Sequence, residues 1–174
     1  MIISVEKLRE HINTELDDRV LEDKLQALEL LVRKYTNNNF QNRNIRYECS
    51  VIDQKLYITS SLLKVDDTVQ ISESRCCDGI YTVVAIDDNM VEVNEPLLDE
   101  SHALVTLVKY PIDVQQGVVN LMKWDLENRD KVGIASETIS RHSVTYFNMD
   151  GDNSIMGFPR SLMGFLKPYM KARF

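Results

Sequence analysis

The sequence predicts a mainly α fold: a small helical bundle with an inserted small β-barrel-like module and an extended C-terminal arm. Three observations lead there. Apolar residues recur at helical spacing up to about residue 43 and again from residue 111. Between those stretches the period changes to two, with Val, Ile, Thr and Tyr prominent. The last forty-odd residues alternate, pass through a polar loop and close on a short apolar, basic helix pattern. A chain of 174 residues with 44% apolar side chains can bury one core, or one core plus an insertion. The expected organisation is residues 1–44 and 111–174 as a helical domain and residues 45–110 as an inserted β module.

Ser4 is placed to cap a first helix from Val5 to about Ile12, with Val5, Leu8 and Ile12 on one face. Thr14, followed by Glu15, Asp17 and Asp18, marks a second helix start, with acids near the positive end of the dipole. The stripe Leu21, Leu25, Leu28, Val32 and Tyr35 steps by four and three, so it faces a partner. Arg33 and Lys34 suit the last turn. The run Thr36-Asn37-Asn38-Asn39 ends the helix, because Asn competes for backbone hydrogen bonds and tolerates the left-handed conformation.

Alternation then predicts strands over residues 45–52, 55–59, 68–72, 79–86, 90–93 and 103–108. The breaks Asp53-Gln54, Asp66-Asp67, Asp78-Gly79 and Asp87-Asp88-Asn89 carry turn chemistry. Short strands packed this densely predict a strongly bent sheet or barrel, since curling protects the edges an open sheet would expose. Pro111 opens a third helix to about Arg129, carrying Val114, Val118, Leu121, Met122 and Trp124. Gly117 inside it costs about 1 kcal/mol relative to Ala, which implies close approach of another backbone. The helices before the insert must pack on those after it, because neither group can bury a core alone.

Charge and composition exclude several functions. The net charge of −7 is concentrated in residues 44–110, which hold five basic and twelve acidic side chains. That segment is unsuited to direct phosphate contacts. No apolar run approaches the roughly 20 residues of a membrane span, and no signal-peptide pattern opens the chain. Cys49, Cys76 and Cys77 form no C-x-x-C, and His11, His102 and His142 lie far apart, so neither a disulfide framework nor a zinc site is expected. Asn148 to Asn153 looks like a calcium loop, but Asn153 stands where the glycine belongs and Pro159 where the glutamate belongs. Ser136, Glu137, His142 and Ser143 lack a nucleophile elbow, and no Gly-rich phosphate loop exists. The expectation is no enzyme activity, no cofactor and no metal.

What remains is the C-terminal stretch. Residues 134–147, including Ile134, Ile139, Val144, Tyr146 and Phe147, form an extended segment. It is either a strand of this subunit's own fold or an arm that pairs with a neighbouring chain's edge. Phe158, Leu162, Phe165, Leu166 and Tyr169 crowd a helix from Pro159 to about Met170, with Arg160, Lys167, Lys171 and Arg173 around it. That helix either packs on its own core or presents a patch to a partner.

These motifs resemble the head–tail connector (head-completion, or adaptor) family of long-tailed bacteriophages and prophages. The resemblance lies in VEKLREHI with the Leu-rich second helix, the post-proline helix, IASETISRHSVTYF and FPRSLMGFLKPY, in that order. It covers about residues 1–43 and 111–174, and the β insert departs from the minimal pattern. It implies a structural virion protein at the head–tail interface, assembled in the bacterial host cytoplasm. The family forms a ring, usually of twelve subunits, although some members stay monomeric until they meet the portal. The ring docks on the portal protein, carries a tail-side stopper or tail protein, and lets DNA pass without specific binding or membrane contact. By that resemblance Ile134, Ile139, Val144, Tyr146 and Phe147 belong to an inter-subunit arm. Arg160, Leu162, Phe165, Leu166, Lys167, Pro168 and Tyr169 belong to a portal-docking helix. The rival expectation is a binding module whose acidic barrel recognises a basic protein partner.

Overall fold

The computed structural model describes residues 1–59, 62–132, 136–139, 142–145 and 152–172. Helix accounts for 35% of the chain and strand for 31%, and six antiparallel strands close into a barrel. The expected mainly α class is therefore wrong. Two features shift the balance. The first and sixth barrel strands begin earlier than their alternation announces, at Gln41 and Glu100. The region expected as one extended arm also contains paired strands. The chain divides into two compact units: Met1 with Asn39–Tyr110, and Ile2–Asn38 with Pro111–Phe174.

In the barrel unit, strands β1 (Gln41–Ile52), β2 (Lys55–Tyr57), β3 (Thr68–Ser72), β4 (Gly79–Asp87), β5 (Met90–Val93) and β6 (Glu100–Val108) run in the order β1-β2-β5-β4-β3-β6. β6 closes the ring by pairing with both β3 and β1. Register shifts in β1 between Gln41 and Arg46 and between Cys49 and Val51 bend that strand. Such irregularities raise local twist and allow closure. Period-two side chains then fill the interior: Val69 and Ile71 from β3, Val91 and Val93 from β5, and Ala103 and Val105 from β6. The β1–β2 connection is a two-residue hairpin with Asp53 and Gln54 both left-handed, at φ 51° and 65°. That is the geometry whose twist matches the flanking strands.

In the helical unit, α1 (Val5–Arg9) is capped by Ser4, whose hydroxyl accepts from the Lys7 amide at 3.4 Å. α2 (Asp18–Thr36) begins later than expected: Asp17, not Thr14, is the cap, and its carboxylate accepts from the Arg19 amide at 2.9 Å. Thr14 serves the linker, where Arg9 donates to the Thr14 and Leu16 carbonyls and to Asp18. Leu21, Leu25, Leu28 and Val32 are all buried, each contributing roughly 1.5–3 kcal/mol. Asn37 ends the helix at φ 49° and ψ 37°, the left-handed conformation Asn accepts most easily after Gly. α3 (Ile112–Asn128) buries Val114, Val118, Leu121 and Met122. It packs on α2 and on a ten-residue 3-10 helix, Arg160–Tyr169. Between them lie a 3-10 turn (Arg129–Lys131), β7 (Ser136–Ile139) paired with β8 (His142–Thr145), and β9 (Ser154–Ile155) paired with β10 (Phe158–Pro159).

Candidate docking surface

The C-terminal helix has a different period from the one its sequence suggests. At 3.6 residues per turn, Leu162, Phe165, Leu166 and Tyr169 would share one face. In a 3-10 helix every third residue eclipses, and the chain sorts into three rows. Met163 and Leu166, at 1% and 0% exposed, form the core row, which continues into half-buried Tyr169. Leu162 and Phe165 form a half-buried second row. Ser161, Gly164, Lys167 and then Met170 form the exposed row. Of the expected docking residues, Leu166 is therefore core, and Arg160, Lys167 and Pro168 are exposed. Met163 was missed altogether. Pro168 lacks the N–H that either winding needs, so it did not distinguish the 3-10 period from the α period.

Runs of 3-10 helix beyond three or four residues are uncommon, and this one is held from several sides. The Phe165 ring lies directly over Gly117 of α3, where any Cβ would collide with it. The expected close approach at Gly117 is thus an aromatic ring, not a backbone. Tyr169 donates its hydroxyl to both Asp113 carboxylate oxygens at 2.8 Å. That bond raises the Tyr169 pKa, because it favours the protonated phenol. Asn38 donates to the Tyr169 carbonyl at 3.1 Å. Beyond the helix, the Lys171 amide donates to the Thr36 carbonyl at 2.8 Å, and the Asn37 side chain donates to the Ala172 carbonyl at 2.8 Å. The backbone of Met170–Ala172 is thereby pinned to the end of α2 while the Met170 and Lys171 side chains stay exposed.

The entry to this helix is fixed by Arg129. Its guanidinium lies 5.2 Å from the Trp124 ring centre and 4.8 Å from that of Phe158. It donates to the Gly157 carbonyl at 3.0 Å and to Asp125 at 2.6 Å. Lys24 of α2 reaches the other Asp125 oxygen at 2.7 Å. Burial alone would raise the Asp125 carboxyl, but the hydrogen bonds from Lys24 and Arg129 outweigh it and hold the carboxyl below its ordinary range. One carboxylate thus ties α2, α3 and the β9–β10 hairpin together. The hairpin turn, Met156-Gly157, has both residues at positive φ, 53° and 81°.

The residues expected in the arm are placed as follows. Ile139 lies on β7 opposite His142, and Val144 lies on β8 opposite Glu137. Where described, the segment pairs with itself, because two alternating stretches in antiparallel register satisfy each other's backbone groups. Ile134, Tyr146 and Phe147 lie outside the described residues, as does most of the polar loop between residues 146 and 151.

A second built surface lies at one end of the barrel. Glu100 accepts from the Arg75 and Cys76 amides at 2.7 and 2.8 Å. The Arg75 bond first, and the Cys76 bond with it, hold the Glu100 carboxyl below the usual range. Asp78 accepts from the Ser74 hydroxyl and amide, which lower its pKa likewise. The buried Cys77 thiol donates to the Leu98 carbonyl and accepts from the Leu98 amide, both at 3.3 Å. Gln54 donates its amide to Asp99 at 3.1 Å. Asp53, Gln54, Leu97, Leu98 and Asp99 line a concavity of about 380 Å³. Among the described residues no group of three or more His, Cys, Asp or Glu could hold a metal ion, and no helix is long and apolar enough to cross a membrane. No protein-family model matches the chain, and no curated protein matches it in sequence.

Proposed function

We propose that this chain is a ring-forming structural protein of a tailed bacteriophage, a head–tail connector that docks on the portal, extends the DNA channel and joins head to tail. The observation that carries the proposal is the division of labour within the C-terminal 3-10 helix. Its core row is clamped by α3, its outer row offers Lys167, and its first residue, Arg160, is also exposed, with no acidic residue anywhere in the helix. A rigid, single-sign surface suits a protein partner with a negative face, because preorganisation lowers the cost of binding and charge steers the encounter. The resemblance of FPRSLMGFLKPY and IASETISRHSVTYF to connector motifs points to the portal as that partner.

The test is co-assembly of the full chain with a portal protein from the same genome, followed by native mass measurement. The expected result is a stoichiometric ring on the portal, weakened at least tenfold by Arg160→Glu with Lys167→Glu. Absence of portal binding by the wild-type chain would sink the proposal. A second reading, a module whose acidic barrel receives a basic protein segment, is favoured by the concavity between Asp53 and Asp99. Removing residues 41–108 separates the two: portal binding persists under the first reading and all partner binding vanishes under the second.

A further inference from the structure

The connector reading leaves the barrel without a task, and the barrel end carries a surface with a defined shape. Leu97 and Leu98 give the concavity its apolar lining, and Asp53 and Asp99 its acidic lining. Leu98 is 63% exposed, unusual for a leucine whose backbone is held at both its amide and its carbonyl by a buried thiol. Asp99 is fixed by the Gln54 amide, and Asp53 occupies a left-handed hairpin position. The Leu98 backbone and the Asp99 carboxylate are thus held in place within the single chain. The unit that carries them, Asn39–Tyr110, has twelve acidic and six basic side chains.

A surface of opposite character stands on the other unit. Met170 is 50% exposed and Lys171 is exposed, on a backbone pinned by Thr36 and Asn37. Residues 160–172 contain Arg160, Lys167 and Lys171 and no acid. A thioether is an adaptable apolar plug, and an ammonium beside it suits paired carboxylates. Both surfaces are open in the single chain, so a second copy can supply the missing half of each.

We infer that the Met170–Lys171 segment of one copy docks in the Leu97–Leu98 concavity of the next, with Met170 on the leucines and Lys171 between Asp53 and Asp99. The contact is heterologous: the two patches differ, so each copy offers one of each and the chain of contacts closes into a ring when the rotation permits. This inference rests on the self-assembly part of the connector reading and gives the barrel its role in it. Lys167 and Arg160 stay available to the portal, because they precede the pinned segment.

Two exposed substitutions test it in the full-length protein. Lys171→Glu reverses the plug, and Leu98→Lys puts a positive charge into the socket without removing any hydrogen bond of the fold. Sedimentation velocity over a concentration series reads self-association. The expected result is concentration-dependent association of the wild type, at least tenfold weaker for either variant alone. An equimolar mixture of the two should recover to within about threefold of wild type, since the reversed plug matches the reversed socket. Recovery also proves both variants folded. Variants that associate like wild type, or a mixture no tighter than its components, overturn the contact. A wild type that binds portal yet never self-associates overturns this contact and leaves the connector reading intact. Loss of both self-association and portal binding in the wild type ends both.

Discussion

Replacing Gly117 with Ala should destabilise the helical unit, although the same change stabilises most helix interiors. Ala gains about 1 kcal/mol over Gly in helix propensity. At this position, however, the new methyl would overlap Cε2 and Cζ of Phe165, where carbon contacts settle at about 3.5–4.0 Å. The ring must move by about 1 Å or more to relieve the overlap. It can swing toward solvent, since Phe165 is only half-buried, or it can push the 3-10 helix away from α3. Either response costs roughly 1–3 kcal/mol in strain and lost packing. The net effect expected is a loss of about 0.5–2 kcal/mol.

The control makes the reasoning refutable. In a Phe165→Ala background the three ring atoms nearest position 117 are gone, so Gly117→Ala should there stabilise by up to about 1 kcal/mol. Urea unfolding of all four proteins gives the coupling directly. Trp124, the chain's single tryptophan, lies in the same helix as Gly117, so its fluorescence reports on this unit. With an m-value of about 1–3 kcal/mol/M, each kcal/mol moves the midpoint by roughly 0.3–1 M. If Gly117→Ala stabilises equally in both backgrounds, the ring is not the reason for the glycine and the packing of the 3-10 helix described above is wrong.

Three further outcomes follow from the same geometry. Because the Asp125 carboxyl is held below its ordinary range in the folded chain, its contribution is complete above the unfolded carboxylate pKa of about 3.9 and is lost as pH falls through the folded value. The stability gap between wild type and Asp125→Asn, followed by urea midpoint from pH 6 to pH 2.5, should therefore narrow below about pH 4, and a gap constant with pH contradicts the Lys24–Asp125–Arg129 network. Of the three thiols, only Cys76 is exposed, while Cys49 is buried with its pKa pushed up to about 11. A disulfide reagent at pH 8 should titrate one thiol rapidly in the native protein and three in denaturant, and two fast native thiols would mean that Cys77 is not held against Leu98. Glu100→Ala should speed hydrogen exchange at the Arg75 and Cys76 amides with little change at β3 and β4 amides, whereas unchanged exchange at both would show that the carboxylate does not hold the loop.

How much of this was legible in the sequence depends on whether the cause was local. The strand positions were, because each barrel strand carries its own period-two pattern and turns such as Asp53-Gln54 sit between them. The α2 stripe and its Asn37 stop were legible for the same reason. Barrel closure was only half legible: bending could be expected, but the pairing of β2 with β5, and of β6 with both β1 and β3, joins segments with no local signature. The cap of α2 was misplaced because Thr14 and Asp17 both fit the pattern, and Arg9, which occupies the linker, decides between them from a different element. The docking helix was misread through its period. Apolar residues at 162, 165, 166 and 169 satisfy an α-helical face, and no local signal marked the tighter winding that brings Met163 into the buried row with Leu166. Glu100 as a clamp had no sequence signal, since the two amides it binds lie 24 and 25 residues away.

That misreading of period bears on mechanism. In an α-helix Arg160 and Lys167, seven residues apart, would share the face opposite Leu162, Phe165, Leu166 and Tyr169. With three residues per turn Lys167 and Met170 lie on an outward row separate from the buried Met163 and Leu166, while Arg160 is exposed at the first position of the helix, in the register of the inward row. The pinning of Lys171 and Ala172 on the end of α2 extends the same arrangement past the helix. Two proposed contacts, to the portal through Arg160 and Lys167 and to the next copy through Met170 and Lys171, then hang on one rigid element whose position is set by Phe165 on Gly117 and by Arg129 on Asp125. Orienting that element for one contact orients it for the other. This is the coupling an assembly protein needs if its ring is to close most readily on the surface that templates it.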